Sequence, residues 1–177
     1  MVVQNLAQLA QRIPLIPVEE LARRRRRTDS QYPELWSALD GVMDPEIPVI
    51  SLYELGVLQD VVMLEDRVKL VLTPTYVGCP ALRVMEEDAR AALAKIGYIE
   101  VDVEISLSPA WTTAWLSRET RTKMHDYGVC APENEAPTCP QCGSSEVSVV
   151  SEFGSTACKA LYRCSACLEP FDVFKAI

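Results

Sequence analysis

The sequence predicts an α+β fold, in which helices cover one face of a small mixed sheet, followed by a small all-β module. Between positions 32 and 128, short helical patterns alternate with segments of alternating apolar and polar residues. The next segment, CAPENEAPT, has the proline and acidic content that is typical of a linker. Beyond it, 21 residues separate two Cys-x-x-Cys pairs, in a tail too short to fold without a cross-link.

The length predicts one ordinary domain with a short appendage, since 177 residues can bury a single core of useful size. We place the main domain at residues 32–128, a linker at 129–138 and the cysteine module at 139–177. Residues 1–31 form a leader that we expect to be disordered.

The leader carries a run of five arginines, Arg23 to Arg27. Pro14, Pro17 and the polar residues around the run favour a solvated segment without a fixed structure. Clustered guanidinium groups could instead bind phosphates or an acidic partner. The sequence leaves both interpretations open.

The main domain begins with a short helix in YPELWSALDGV, where Leu35, Leu39 and Val42 share one face. Pro45 and Pro48 forbid its continuation, so DPEIPVI is an ordered turn. SLYELG is a single helical turn closed by a glycine, and VLQDVVML and RVKLVLT alternate well enough to form a hairpin.

The most regular helix is expected from about Pro80 to Ile96, where a glycine follows. IEVDVEISL supplies a third strand, and Ser117 can cap a last helix in RETRTKMHDYG. The apolar residues of the regular helix recur three or four positions apart, namely Leu82, Met85, Ala89 and Leu93.

The composition excludes several classes of protein. No apolar run approaches the roughly 18 residues of a membrane span, and the N-terminus lacks the pattern of a secretory signal, so we expect a cytoplasmic protein that does not enter a membrane. The formal charge of −8 opposes nucleic-acid binding. In a reducing compartment, seven cysteines favour metal binding or thiol chemistry over disulfides.

Cys139, Cys142, Cys164 and Cys167 have the spacing of a zinc ribbon, in which two short loops each present two sulfurs to one ion. VSVVSEF and ALYRC can pair as strands and bring the loops together. Four thiolates leave no open position for a substrate, so this zinc would be structural and its surface a docking site. A single iron or an iron-sulfur cluster fits the same ligands. The other alternative is that the four thiols are unrelated and bind no metal.

Two further cysteines stand apart from this set. Cys158 lies between the two pairs and is expected to pack as a small apolar residue or to lie near the zinc ligands. Cys79 precedes Pro80 at the predicted start of the regular helix, where free N–H groups would lower the pKa of its thiol. Position alone leaves open whether Cys79 is reactive or inert.

Three segments, DPEIPVISLYELG, LTPTYVGCPA and SPAWTTAW, occur in an order that resembles the domain shared by SufT-like and cytosolic iron-sulfur assembly proteins. The resemblance covers roughly residues 32–128. From Tyr32 onward, including SEFGSTACKALYRC and EPFDVFK, the chain is similar to a narrower family, the PaaD (also PaaJ) subunits encoded with the phenylacetyl-CoA oxygenase (epoxidase) of aerobic phenylacetate breakdown. The arginine-rich leader lies outside the resemblance.

The resemblance implies that Asp44 and Cys79 are the functional pair and transiently hold iron or an iron-sulfur cluster, with Glu46 able to help. Two ligands cannot hold a cluster tightly, so a partner, a second copy or a small thiol must complete the shell, which favours a homodimer. The same resemblance implies a cleft lined by Thr73, Thr75, Trp111, Thr112 and Thr113.

Two functional hypotheses follow. In the first, the protein is a maturation factor without catalytic activity, which helps to install the iron or iron-sulfur centre of the oxygenase or its reductase and docks on them through the ribbon. In the second, it is a structural or regulatory subunit of the oxygenase complex and transfers no metal.

Overall fold

We describe the protein from a computed structural model, which places residues 16–131 and 136–175. The first fifteen residues of the predicted leader and part of the predicted linker lie outside these ranges. The helices are α1 (Val18–Thr28), α2 (Pro33–Leu39), α3 (Leu52–Leu55), α4 (Leu82–Ala94) and α5 (Arg118–Tyr127). The strands are β1 (Leu58–Leu64), β2 (Arg67–Leu72), β3 (Val101–Ile105), β4 (Val129–Cys130), β5 (Val147–Ser151), β6 (Lys159–Cys164) and β7 (Pro170–Phe174).

The first sheet has the order β1-β2-β3 and is mixed, as predicted. β1 and β2 form an antiparallel hairpin, and β3 joins β2 in parallel after the crossover through α4. On β2, Val68, Leu70 and Leu72 are fully buried, whereas Lys69 and Val71 between them are half-buried. This alternation shows that the apolar core covers one face of the sheet.

The helices of the main domain follow the predicted apolar faces. Leu35 and Leu39 of α2 and Leu93 of α4 are at most 1% exposed, and the two helices pack on each other. The predicted first turn of α4 is wrong, because Pro80 and Ala81 lie in a turn and the helix begins at Leu82.

The short helix α3 connects the Asp-Pro-Glu turn to the sheet. Ser51 and Glu54 form a reciprocal capping box at its start, and Gly56 ends it with φ of +82°. The indole rings of Trp111 and Trp115 pack against Gly56. A Cβ atom added at Gly56 would lie 3.4 Å from each of the two rings. A glycine is therefore required here for its conformation, and its small size keeps both indole rings close.

The expectation of a disordered leader is wrong for residues Val18–Thr28, which form α1. Arg23 is 2% exposed, pairs with Glu20 at 2.7 Å and donates to the carbonyl oxygen of Tyr53 at 2.7 Å. Arg27 forms a two-bond pair with Asp40. The arginines are ordered because carbonyl and carboxylate oxygens of the main domain accept their hydrogen bonds.

The second sheet has the order β4-β7-β6-β5 and includes a strand that the sequence placed in the linker. β4 pairs in parallel with β7, through Val129 opposite Asp172 and Cys130 opposite Val173. The sheet of the cysteine module therefore begins at Val129. Sequence reasoning missed β4 because two residues are too few for an alternating pattern.

The two sheets belong to units that contact each other through side chains of β7 and of the segment before β6. Phe174 is 2% exposed and its ring lies 5.4 Å from that of Trp111. Cys158 belongs to the same apolar cluster as the core of the main domain. Within the described ranges, no helix combines the length and the apolarity needed to cross a membrane.

Candidate functional site

The four cysteines of the second sheet converge on one point. The Sγ atoms of Cys139 and Cys167 are 3.6 Å apart, those of Cys142 and Cys164 are also 3.6 Å apart, and all four lie within 4.8 Å of one another. A tetrahedral ion with zinc–sulfur bonds of about 2.3 Å would separate its sulfurs by about 3.8 Å. The spacing and the sulfur donor set therefore fit a metal ion of this kind, and the predicted four-cysteine metal site is confirmed.

The surroundings of these sulfurs favour the ionised form at Cys164, whereas burial and the neighbouring thiols raise the pKa of Cys142 and Cys167 against opposing backbone N–H groups. The N–H of Cys167 lies 3.5 Å from Sγ of Cys164 and lowers the pKa of that thiol to about 6. Cys139 and Cys164 are fully buried, whereas Cys142 and Cys167 are exposed. The site is therefore at the surface on one side, with all four ligand positions supplied by the chain.

Asp44 forms the base of the Asp-Pro-Glu turn. It is 5% exposed, and its Oδ1 accepts hydrogen bonds from the N–H groups of Glu46 at 2.9 Å and Ile47 at 2.8 Å. Burial raises the pKa of this carboxyl, although the two backbone bonds act in the opposite direction. Asp44 thus holds the turn in place with one oxygen of its carboxylate.

Cys79 lies on the loop between β2 and α4 and is half-buried. Burial raises the pKa of its thiol, the N–H of Ala81 opposes the shift, and the charges of Glu46 and Asp44 add to it. The expected lowering of this pKa is therefore wrong. The thiol is not at the first turn of a helix, and two acidic side chains are close enough to disfavour a thiolate.

The charges of Glu46 and Asp44 thus act on the thiol of Cys79, and the implied pairing of Cys79 with Asp44 stays a prediction. Sequence reasoning missed two further neighbours, Cys158 and Lys159, which come from the cysteine module. The charge of Cys158 also acts on Cys79, and Lys159 Nζ lies 3.8 Å from Oε2 of Glu46. The unpaired position of Cys158 between the two Cys-x-x-Cys pairs was the one sequence signal that could have indicated it.

The five residues predicted to line a cleft come from two segments, and their side chains differ in burial and in hydrogen bonding. Thr73 and Thr75 precede Cys79 on its loop and are buried, and the Thr73 hydroxyl has no hydrogen-bond partner among the described residues. Trp111 is buried and donates its indole N–H to the carbonyl oxygen of Leu55. Thr112 caps the short 3₁₀ turn Thr113–Trp115 by accepting from the N–H of Ala114, and Thr113, the first residue of this turn, is buried.

Two family models match the two units separately. Residues 33–107 match a model described as an iron-sulfur cluster assembly protein. Residues 129–175 match one described as the PaaD zinc beta ribbon domain. The class of protein is therefore an iron-sulfur cluster assembly domain joined to a zinc β-ribbon.

The chain is similar to a putative subunit of 1,2-phenylacetyl-CoA epoxidase from Escherichia coli K12, with 41% identity over 155 residues that cover 83% of this chain and 94% of that protein. It is 34% identical over 92 residues to the Fe-S protein maturation auxiliary factor YitW of Bacillus subtilis 168, covering 51% of this chain and 89% of that protein. Among solved structures, the chain is similar to a domain of unknown function, DUF59, from Bacillus anthracis. The alignment covers 59% of this chain and 95% of that domain, with 22% identity and a TM-score of 0.48. The chain belongs to the PaaD family of phenylacetyl-CoA epoxidase subunits.

Proposed function

We propose that the protein is an accessory factor of aerobic phenylacetate degradation, which assists in assembling or delivering the iron or iron-sulfur centre of phenylacetyl-CoA oxygenase. It catalyses no reaction itself. The observation that carries this proposal is that Glu46 and Asp44 lie close enough to Cys79 for their charges to act on its thiol. The names of its relatives, an epoxidase subunit and a maturation auxiliary factor, support it.

The donor set suits transient binding of the cargo. A thiol and two carboxylates can bind Fe²⁺, whose preferred ligands include both sulfur and oxygen. Outside the four ribbon cysteines, no described set of three such side chains has its ligand atoms within 4.8 Å of one another. The cargo is therefore held by few ligands from this chain, and a client, a second copy in a homodimer or a small thiol completes its coordination.

The walls of this site would come from the loop before Cys79 and from the segment around Trp111. Thr73 offers a buried hydroxyl that can donate to a bound ligand. The remaining members of the proposed lining are Thr75, Trp111, Thr112 and Thr113.

The ribbon binds zinc at Cys139, Cys142, Cys164 and Cys167 and docks on the oxygenase or its reductase. With four ligands from the chain the zinc has no position for a substrate, so its role is structural. None of the seven cysteines forms a disulfide, which supports a cytoplasmic location.

The test is the iron, zinc and sulfide content of protein made and purified without oxygen. Wild type is compared with Cys79→Ala and Cys139→Ala, and oxygenase activity is measured in cells that carry each variant. We expect labile iron that depends on Cys79 and zinc that depends on Cys139, together with an inactive, iron-poor oxygenase in cells with Cys79→Ala.

The alternative, a structural or regulatory subunit, makes the opposite prediction. Oxygenase purified from cells lacking the protein would then be metal-replete but misassembled. If zinc is the only metal bound and Cys79→Ala leaves oxygenase activity unchanged, the maturation role is wrong.

A further inference from the structure

The two Cys-x-x-Cys loops of the ribbon end with the same backbone geometry. Gly143 directly follows the first pair, has φ of +73°, and donates its N–H to the carbonyl oxygen of Cys139 at 2.8 Å. Leu168 directly follows the second pair, has φ of +68°, and donates its N–H to the carbonyl oxygen of Cys164 at 3.1 Å. The two positions are therefore equivalent in the fold, although one carries a glycine and the other a leucine.

This left-handed conformation suits glycine and disfavours leucine. The Cβ atom of an L-residue crowds its own backbone at such a φ, and a bulky side chain there is an outlier. The carbonyl oxygen of Leu168 also accepts from Nε of Arg163 at 3.3 Å. Both hydrogen bonds of Leu168 involve its main chain, so a glycine could make them equally. The loop therefore does not need a leucine, and the leucine strains it.

Packing within the protein does not compensate for this strain. The Leu168 side chain is 59% exposed, and neither of the two apolar clusters formed by the described residues includes it. Phe171 and Val173, which follow on β7, are by contrast buried in the ribbon cluster. A strained residue whose side chain adds nothing to the core indicates a contact outside the folded chain.

The end of the ribbon that carries Leu168 is exposed and acidic. Cys142 and Cys167 are exposed, and four thiolates outnumber the positive charges of a divalent ion, so the metal site is anionic. Glu146 and Glu169 are also exposed, and backbone hydrogen bonds hold both beside the second loop. The exposed Arg163 adds a single positive charge, so negative charge prevails around the leucine.

We propose that Leu168 is the anchor by which the ribbon docks, and that it enters an apolar pocket with a basic rim on the oxygenase component. This inference rests on the docking role proposed for the ribbon and names the residue that makes the contact. We choose the oxygenase because the Escherichia coli relative is named as an epoxidase subunit. Burial of the leucine would supply affinity, and the surrounding negative charges would select a basic rim.

The test measures binding of full-length, zinc-loaded protein to the oxygenase component by calorimetry, with oxygenase purified from cells that lack the protein. Leu168→Gly and Leu168→Asn both tolerate the left-handed φ and should raise the Kd at least about tenfold, the ratio expected when a leucine is no longer buried. Leu168→Met keeps an apolar side chain and should weaken binding less than either. Val150→Ala is the matched control, because Val150 is 56% exposed in the same ribbon, and it should bind as wild type does.

The melting temperature of each zinc-loaded variant separates docking from folding. Leu168→Gly and Leu168→Asn should melt no lower than wild type, because they relieve strain and remove no packed contact. If both melt lower, the leucine supports the fold itself and the inference is wrong.

A salt series tests the chemistry of the pocket. The affinity of wild type for the oxygenase should fall as the salt concentration rises, because salt screens the attraction between the acidic end of the ribbon and a basic rim. An affinity that does not respond to salt would show that the rim is not basic.

The outcomes distinguish this inference from the proposed function. If the Leu168 variants bind the oxygenase as wild type does, Leu168 is not the anchor, and the maturation role stands on the iron measurements alone. If only Val150→Ala weakens binding, the ribbon docks through β5 and the inference is wrong. If wild type binds the reductase and not the oxygenase, the partner named here is wrong. If it binds neither, the docking role itself is wrong.

Discussion

Asp44 shows how one side chain can combine a structural contact with a proposed functional one. Its Oδ1 atom accepts two backbone N–H groups and so shapes the turn, while Glu46 is placed near the ribbon. Burial keeps the pKa of Asp44 above its ordinary value of 3.8. The proposed metal-binding role of Asp44 cannot be tested by alanine alone, because alanine also removes the contacts that close the turn.

A pair of substitutions at Asp44 separates them. Asp44→Ala leaves two N–H groups unpaired and should lower the free energy of unfolding by about 2 kcal/mol. Asp44→Asn keeps an acceptor oxygen and should change it by less than about 1 kcal/mol, because the raised pKa indicates that the charge itself does not stabilise the fold. Urea denaturation measures both, and equal losses for the two variants would show that the turn does not depend on this oxygen.

At the scale of elements, α1 is stabilised by contacts with the rest of the domain and not by its own composition. Arg23 and Arg27 both lie over the ring of Tyr53. The distance from the ring centroid is 4.1 Å to Cζ of Arg23 and 4.4 Å to Cζ of Arg27. Arg26 binds the carbonyl oxygen of Gln59 and pairs with Asp60 at 3.4 Å. The arginine run therefore attaches α1 to α3 and β1. Most of its side chains are bound to other residues of the protein.

Substitution within this run should have unequal effects. Arg23→Ala should lower the free energy of unfolding by about 3 kcal/mol, because it removes a buried partner of Glu20 and two contacts with backbone carbonyls. Arg25→Ala is the control, since Arg25 is exposed, and should change stability by less than about 0.5 kcal/mol. Chemical denaturation of both variants tests this prediction. If both variants lose a similar free energy of unfolding, the loss of a positive charge, and not of the specific contacts of Arg23, explains the effect.

The contact between α3 and α5 should make stability depend on pH. Burial alone would raise the pKa of Glu54, but hydrogen bonds from Lys123 and from the N–H of Ser51 outweigh it and lower the pKa below its ordinary value of 4.5. The ionised form is therefore favoured in the folded protein. Its contribution is present above about pH 4.5 and is lost as the pH falls through the lowered value.

Glu54→Gln removes this contribution. The stability difference between wild type and Glu54→Gln should be largest near neutral pH and should shrink below about pH 4.5, as measured by thermal unfolding from pH 7 to pH 3. Lys123→Met should reproduce part of the loss because it removes one of the two partners. A difference that stays constant over this range would show that the ion pair does not couple to folding.

At the scale of the whole molecule, the ribbon and the main domain share a core through Phe174, Trp111 and Cys158. Arg121 of α5 also donates to the carbonyl oxygen of Ala131, just after β4. The connection therefore includes both β7 and the chain just after β4, the strand that pairs with β7. A change at the four-cysteine site should therefore alter the packing of the main domain.

Removal of the ribbon metal tests this coupling. A chelator should expose the amides of β5 and β6 to hydrogen exchange, because a module this small is stabilised by its metal. The fluorescence of Trp111 should change as Phe174 moves, whereas protection of the buried strand β2 should persist. Readdition of zinc should reverse these changes, and unchanged exchange in verified metal-free protein would show that the sheet is stable by itself.

Local signals in the sequence were sufficient to predict several elements. Periodic apolar residues placed α2, α4 and the β1–β2 hairpin, and the Cys-x-x-Cys spacing identified the metal site, since two short loops can present their sulfurs in few ways. The capping pattern at Ser117 was also sufficient to place the start of α5.

Features that depend on residues distant in sequence could not be predicted without the packed fold. An arginine run is equally compatible with solvent and with a protein surface, and the carbonyl oxygens that order α1 lie about 30 residues away along the chain. The pKa of Cys79 depends on burial and on the charges of other segments, which outweigh its position before a helix. Cys158 joins the core of the main domain because the ribbon packs on that domain, and proximity between units is a property of their packing that no local pattern records.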